Sequence, residues 1–274
     1  MKALNILILI FFFTSCTKID FGYRLAPRSV MSRLDDTFNF KSDRFKQVRS
    51  QLDVDFKTNR TQVAKTVLNN VDEILLLASK NEVIENDFKV LLSSMQSSRV
   101  LLVQMFKNSF ETVIKDLTLR EIENLDDFSN KKFKEQDKKM SEKDNYLEKQ
   151  MNSFEKVMDF LFDSVNKDQL TIYEQFITEH FGFFKEQLDY RKAFVQKFES
   201  LTNSRPELLT YVMNYYADDS SVHTIDQQKK SDDFSRDLYK MILKVWNAST
   251  AKQKEKLKEN MIDLRAELTD MTKG

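Results

Sequence analysis

Glycine and proline are nearly absent: 274 residues hold three glycines (Gly22, Gly182, Gly274) and two prolines (Pro27, Pro206). A sheet protein of this length needs many such residues for its turns, whereas long helices need few. Leu, Lys, Glu, Gln and Met, all good helix formers, are abundant. Hydrophobic residues make up 41% and aromatic residues 12%, enough apolar surface to pack a core rather than leave the chain disordered. The expectation is an all-α fold, an elongated bundle of about seven or eight amphipathic helices with no sheet.

Hydrophobic spacing places those helices. A lead-in helix passes through Val30, Met31, Leu34 and Phe38, and a long one runs from about Asp43 to Ser79 with Ser42 as its N-cap. Asn81 breaks the pattern, which resumes from Val83 to Val113. Thr118-Leu119-Arg120-Glu121 has the form of a capping box and opens the next helix. Apolar steps continue through Met151–Phe162 and Leu170–Phe198, and Pro206 starts a short helix from Glu207 to Tyr216. After the loop at Asp218–Ser221, two final helices hold Leu238–Trp246 and Leu257–Met271. Lys131 to Lys149 carries seven lysines and five acids, the pattern of a solvated helix face laced by i,i+4 pairs.

The first seventeen residues follow a different rule. Lys2 precedes an apolar run from Leu4 to Phe13, and Thr14-Ser15-Cys16 follow. Such a run of about ten residues is a secretory signal, because a membrane-crossing helix needs about 20. Cys16 is the only cysteine, which excludes an internal disulfide. Phe13-Thr14-Ser15-Cys16 resembles the lipobox of bacterial lipoproteins. That resemblance implies that residues 1–15 are a removed signal peptide and that Cys16 is acylated as the new N-terminus, with palmitate among its acyl chains. It also implies an organisation of lipidated N-terminus and lead-in helix over 16–40 and helical domain over 41–274. Thr17 in place of an aspartate favours the outer membrane, with the domain facing the periplasm.

Charge narrows the partners. There are 43 basic and 43 acidic residues, and losing residues 1–15 removes only Lys2, leaving a net charge of −1. No overall field draws in nucleic acid. Arg24, Arg28 and Arg33 lie near the expected anchor, where they would meet anionic headgroups or be answered by Asp20, Asp35 and Asp36.

Several helix starts share a grammar of a small cap followed by a polar residue in the first turn: Ser42-Asp43-Arg44, Asn166-Lys167-Asp168-Gln169, Thr250-Ala251-Lys252-Gln253 and, more loosely, Thr118 to Glu121. Together with the Cys16-to-Tyr23 segment and Leu34-Asp35-Asp36-Thr37-Phe38-Asn39-Phe40, these starts resemble a family of bacterial helical lipoproteins known only as a domain of unknown function. The family's Trp-rich first helix and its Leu-Thr-Pro-x-Gln starts are absent here. A more distant likeness links the starts to the repeats of Spy-type periplasmic chaperones. Neither likeness implies a catalytic residue.

A search for chemistry finds little. The two histidines, His180 within an apolar stripe and His223 beside Asp218-Asp219, have no ligand partners at metal-site spacing. No phosphate loop, His-Glu-x-x-His or Gly-x-Ser-x-Gly occurs. Cys16 is therefore the one site residue expected, for lipidation, with no catalytic, cofactor or metal residue and no small-molecule substrate. Two functions fit such a chain: a non-catalytic scaffold or interaction module with a protein partner in the envelope, or a chaperone-like binder presenting an apolar, Met-rich face. Mass spectrometry of the mature protein is expected to find an acylated N-terminal Cys16. A free thiol there, or an N-terminus beyond it, overturns the anchor.

Overall fold

The computed structural model describes residues 19–273, so Cys16 and the expected signal lie outside the described residues. Within them the chain is all-α, with no strand. Its helices are α1 (Ile19–Phe38), α2 (Ser42–Ala78), α3 (Glu85–Met105), α4 (Lys107–Lys115), α5 (Leu119–Ser141) and α6 (Lys143–Phe162). Then follow α7 (Lys167–Glu179), α8 (Phe181–Ser200), α9 (Arg205–Ala217), a 3-10 turn (Asp219–Val222), α10 (Ile225–Asn247) and α11 (Ala251–Lys273).

The eleven described helices exceed the seven or eight expected, because three stretches that read as continuous are broken, at Phe106, Glu142 and His180. At Phe106 the cause is visible. From α2, Asn59 Nδ2 donates to Met105 O (2.7 Å), and the buried Asp55 carboxylate accepts from Ser109 N (2.9 Å) and Ser109 Oγ (2.7 Å). Polar side chains of one helix thus end α3 and start α4, replacing the ladder bonds a continuous helix would have made. Glu142 lies in the solvated stretch, where no buried stripe holds the two halves in line.

α2 is the spine. Its 37 residues span about 55 Å at 1.5 Å per residue. One core gathers around its C-terminal half, with Val71, Ile177, Trp246, Met261 and Met271. A second gathers around its N-terminal half, with Met31, Val48, Leu52, Leu208 and Val212. Phe56 packs against both, meeting the Tyr23 ring edge-on and the Phe106 ring at a tilt, at centroid separations of 5.3 and 4.6 Å.

Helix ends are satisfied by distant side chains. Neither described glycine has positive φ, and among the described residues only Asn39 (φ 49°) and Asp163 (φ 63°) enter the left-handed region that usually closes a helix. Instead Asn124 Nδ2 donates to Phe38 O at the end of α1 (3.0 Å), and Asn260 Nδ2 to Phe160 O in α6 (2.9 Å). Arg44 reaches Thr112 O and Val113 O in α4, while Arg99 reaches Tyr215 O and Tyr216 O in α9. Arg60 donates to Met271 O in α11 (2.8 Å) and also grips Asp20. A guanidinium suits this task, with five donors and a positive charge at the negative end of the helix dipole.

The helix-start grammar is realised at Thr118/Glu121, Asn166/Gln169 and Thr250/Gln253, each a reciprocal capping box. Ser42 is a correction. It sits inside the first turn after an uncapped Lys41, in a stretch exposed enough for water to serve the amides. Two of the boxes interlock: Gln253 Nε2 donates to Gln169 Oε1 (3.0 Å) and to Ser164 O (3.0 Å), and Gln169 Nε2 to Ser249 Oγ (2.9 Å). Both glutamines are essentially buried. Replacing Gln253 with leucine orphans several buried groups at once and is expected to cost about 2 kcal/mol or more in urea unfolding. Gln175→Leu, on the exposed side of α7, should stay within about 0.5 kcal/mol.

Candidate interaction surfaces

The residues singled out in the sequence are scattered rather than assembled. His180 sits at the α7–α8 break, its ring packed against Phe176 and Phe234 at 4.7 and 5.2 Å. Asp237 approaches its Nε2 at 3.8 Å. His223, at the end of the 3-10 turn, lies 5.6 Å from the Tyr190 ring. No group of three or more His, Cys, Asp or Glu side chains able to hold a metal occurs among the described residues. The Lys131–Lys149 stretch is mostly exposed, with Lys132 pairing to Glu135 and Lys192 of α8 reaching Asp137.

Among the described residues one carboxyl is raised. Burial, together with the Asp126 carboxylate beside it, pushes Glu199 above the usual range. It lies on α8 and faces Asp126 of α5.

The surface most unlike the rest of the molecule is the outward side of α3. Residues 90–106 contain a single charge, Arg99, although 31% of the chain is charged and a run this long would carry about five. Arg99 is buried and turned inward to cap α9. Val90 (59% exposed), Ser93, Ser97, Leu101 (51%) and Gln104 therefore form an uncharged stripe at helical spacing. Behind it α3 is locked to α2, with Ser98 Oγ donating to Asn70 Oδ1 (2.9 Å) and Ser94 Oγ to Glu73 Oε1 (2.7 Å). Sequence reasoning missed this stripe; the missing charges were the signal.

A second surface is the outward side of α1. Tyr23, Pro27 and Met31 face the core, leaving Phe21 (56% exposed), Arg24, Leu25 (38%) and Arg28 outside. A shallow open groove runs along α2 between Phe45 and Lys57.

No protein-family model, curated protein or solved structure matches the chain. No described helix is long and apolar enough to cross a membrane.

Burial pushes the His180 pKa below its ordinary 6.5, outweighing the upward pull of Asp237 and Glu179, so the ring is neutral in the fold at pH 7. The unfolded chain therefore takes up this proton first as pH falls, and the contribution to stability is full above pH 6.5 and declines below it. Thermal melts from pH 7.5 to 5.5 should show a smaller loss for His180→Gln than for the parent; equal slopes contradict this.

Proposed function

We propose that this chain is a non-catalytic envelope protein, held in the outer membrane through an acylated Cys16 and facing the periplasm, that works as a scaffold or protein-interaction module. The uncharged stripe on α3 carries the reading. It is an exposed helix side that offers neither charge nor titratable chemistry, only shape, small hydroxyls and apolar knobs. Such composition suits packing against another protein better than holding a substrate. The likeness to bacterial helical lipoproteins, from Cys16 to Tyr23 and at the capped helix starts, supports the envelope location.

The runner-up is a chaperone-like binder of unfolded envelope proteins. That role calls for a broad, adaptable apolar face, often rich in methionine. Every methionine in the described residues is buried or half-buried, and the large exposed apolar side chains are spread over seven helices and one loop. The distribution favours the first reading.

Photo-crosslinking in intact cells separates the two. A photoreactive residue at Ser97 should give a discrete adduct, whereas one at Lys139, in the solvated arm, should give none. Failure at Ser97, joined to suppression of a model client's aggregation by the purified protein, would overturn the scaffold in favour of the chaperone.

A further inference from the structure

We infer that the outward side of α1 lies against an anionic phospholipid surface, so that the domain is docked flat on the membrane rather than hanging free from its tether. The inference rests on acylation of Cys16, and the chain's own geometry gives it force. Only Thr17 and Lys18 separate Cys16 from Ile19, the first residue of α1. At 3.3–3.6 Å per extended residue, those three steps span about 11 Å at most. An acylated cysteine sits at the headgroup boundary, so the start of α1 is held within about 11 Å of it.

α1 is not free to swing. Ile19 N donates to Glu267 Oε2 of α11 (2.7 Å), Arg60 of α2 binds Asp20 (2.8 Å), and Tyr23 Oη donates to Phe56 O (2.7 Å). Orienting α1 therefore orients the body to which it is bonded.

The side left outside has the composition of an interfacial helix. Phe21 and Leu25, one turn apart, are exposed at the end nearest the anchor. Arg24 and Arg28 lie on the same side, exposed, with one edge of the Arg24 guanidinium pairing with Asp20 (2.7 Å). The acids of α1 are turned to other work. Burial alone would raise the Asp20 carboxyl, yet Arg60 and Arg24 hold it below the usual range, and Asp35 Oδ1 accepts from Phe40 N. Only Asp36, at the far end, is exposed. Apolar side chains that enter the headgroup layer beside guanidinium groups that pair with lipid phosphates are how such helices hold a membrane surface.

The test uses the full chain incorporated into vesicles of phosphatidylglycerol and phosphatidylethanolamine whose acyl chains carry bromine. Trp246 is buried and gives a constant background. Phe21→Trp should lose at least half of its added fluorescence to bromine quenching, and Ile225→Trp, on an exposed helix start remote in sequence, none of it. Quenching should fall at least twofold in wholly phosphatidylcholine vesicles or when Arg24→Gln and Arg28→Gln are combined. If Phe21→Trp is no more quenched than Ile225→Trp, the proposal is overturned. It is overturned equally if the Phe21→Trp emission responds to protein concentration and not to bromine, which would assign the surface to another protein molecule. Mass spectrometry of the same sample reads acylation separately. An unacylated chain with quenched Phe21→Trp refutes the anchor while keeping the docked surface, and an acylated chain without quenching does the reverse.

Discussion

The last turn of a helix exposes carbonyl groups that nothing within the helix can satisfy. Proteins commonly close that turn with a left-handed glycine, which folds the chain back over its own end. Here that solution is nearly unused, and other helices supply the donors. Asn59, Arg60 and Arg44 of α2, Arg99 of α3, Asn124 of α5 and Asn260 of α11 each end a helix other than their own. Secondary and tertiary structure are thus specified by the same bonds. A helix stops where a partner's side chain is waiting, and the partner is held there by burial on either side.

α2 organises this arrangement because it is long enough to serve both cores. Its buried stripe from Val48 to Leu77 divides at Phe56, which belongs to each. Along the same helix Arg44, Asp55, Asn59 and Arg60 turn polar groups towards α4, α3, α1 and α11. Burying these groups costs desolvation, which their fixed bonds to backbone carbonyls and amides offset. The apolar residues supply cohesion and the polar ones define register.

Much of this was legible beforehand. Scarce glycine and proline, with 3.6-residue periodicity, led to an all-helical chain and to the positions of most helices. Three capping boxes could be read because their partners lie three residues apart; a fourth, Thr224/Gln227, has the same form and was overlooked. What stayed hidden was non-local. The break at Phe106 depends on Asp55 and Asn59, about fifty residues earlier, and no local pattern announces it. Ser42 looked like a cap because serine favours that position, but the helix begins at Ser42 itself. For the surfaces, the charge gap over residues 90–106 was visible, while the fact that its single arginine points inward was not.

Borrowed helix endings bear on how such a chain changes over generations. A segment that carries its own terminator can be exchanged, duplicated or lengthened on its own. A segment that stops because Arg99 or Asn260 reaches across to it brings a dependency more than a hundred residues long in the case of Arg99 and α9. Substitutions at the two ends of each dependency are tied, even where they share no contact with a partner molecule. Shuffling between related chains would preserve the pattern of helices while scrambling the instructions for where each one ends.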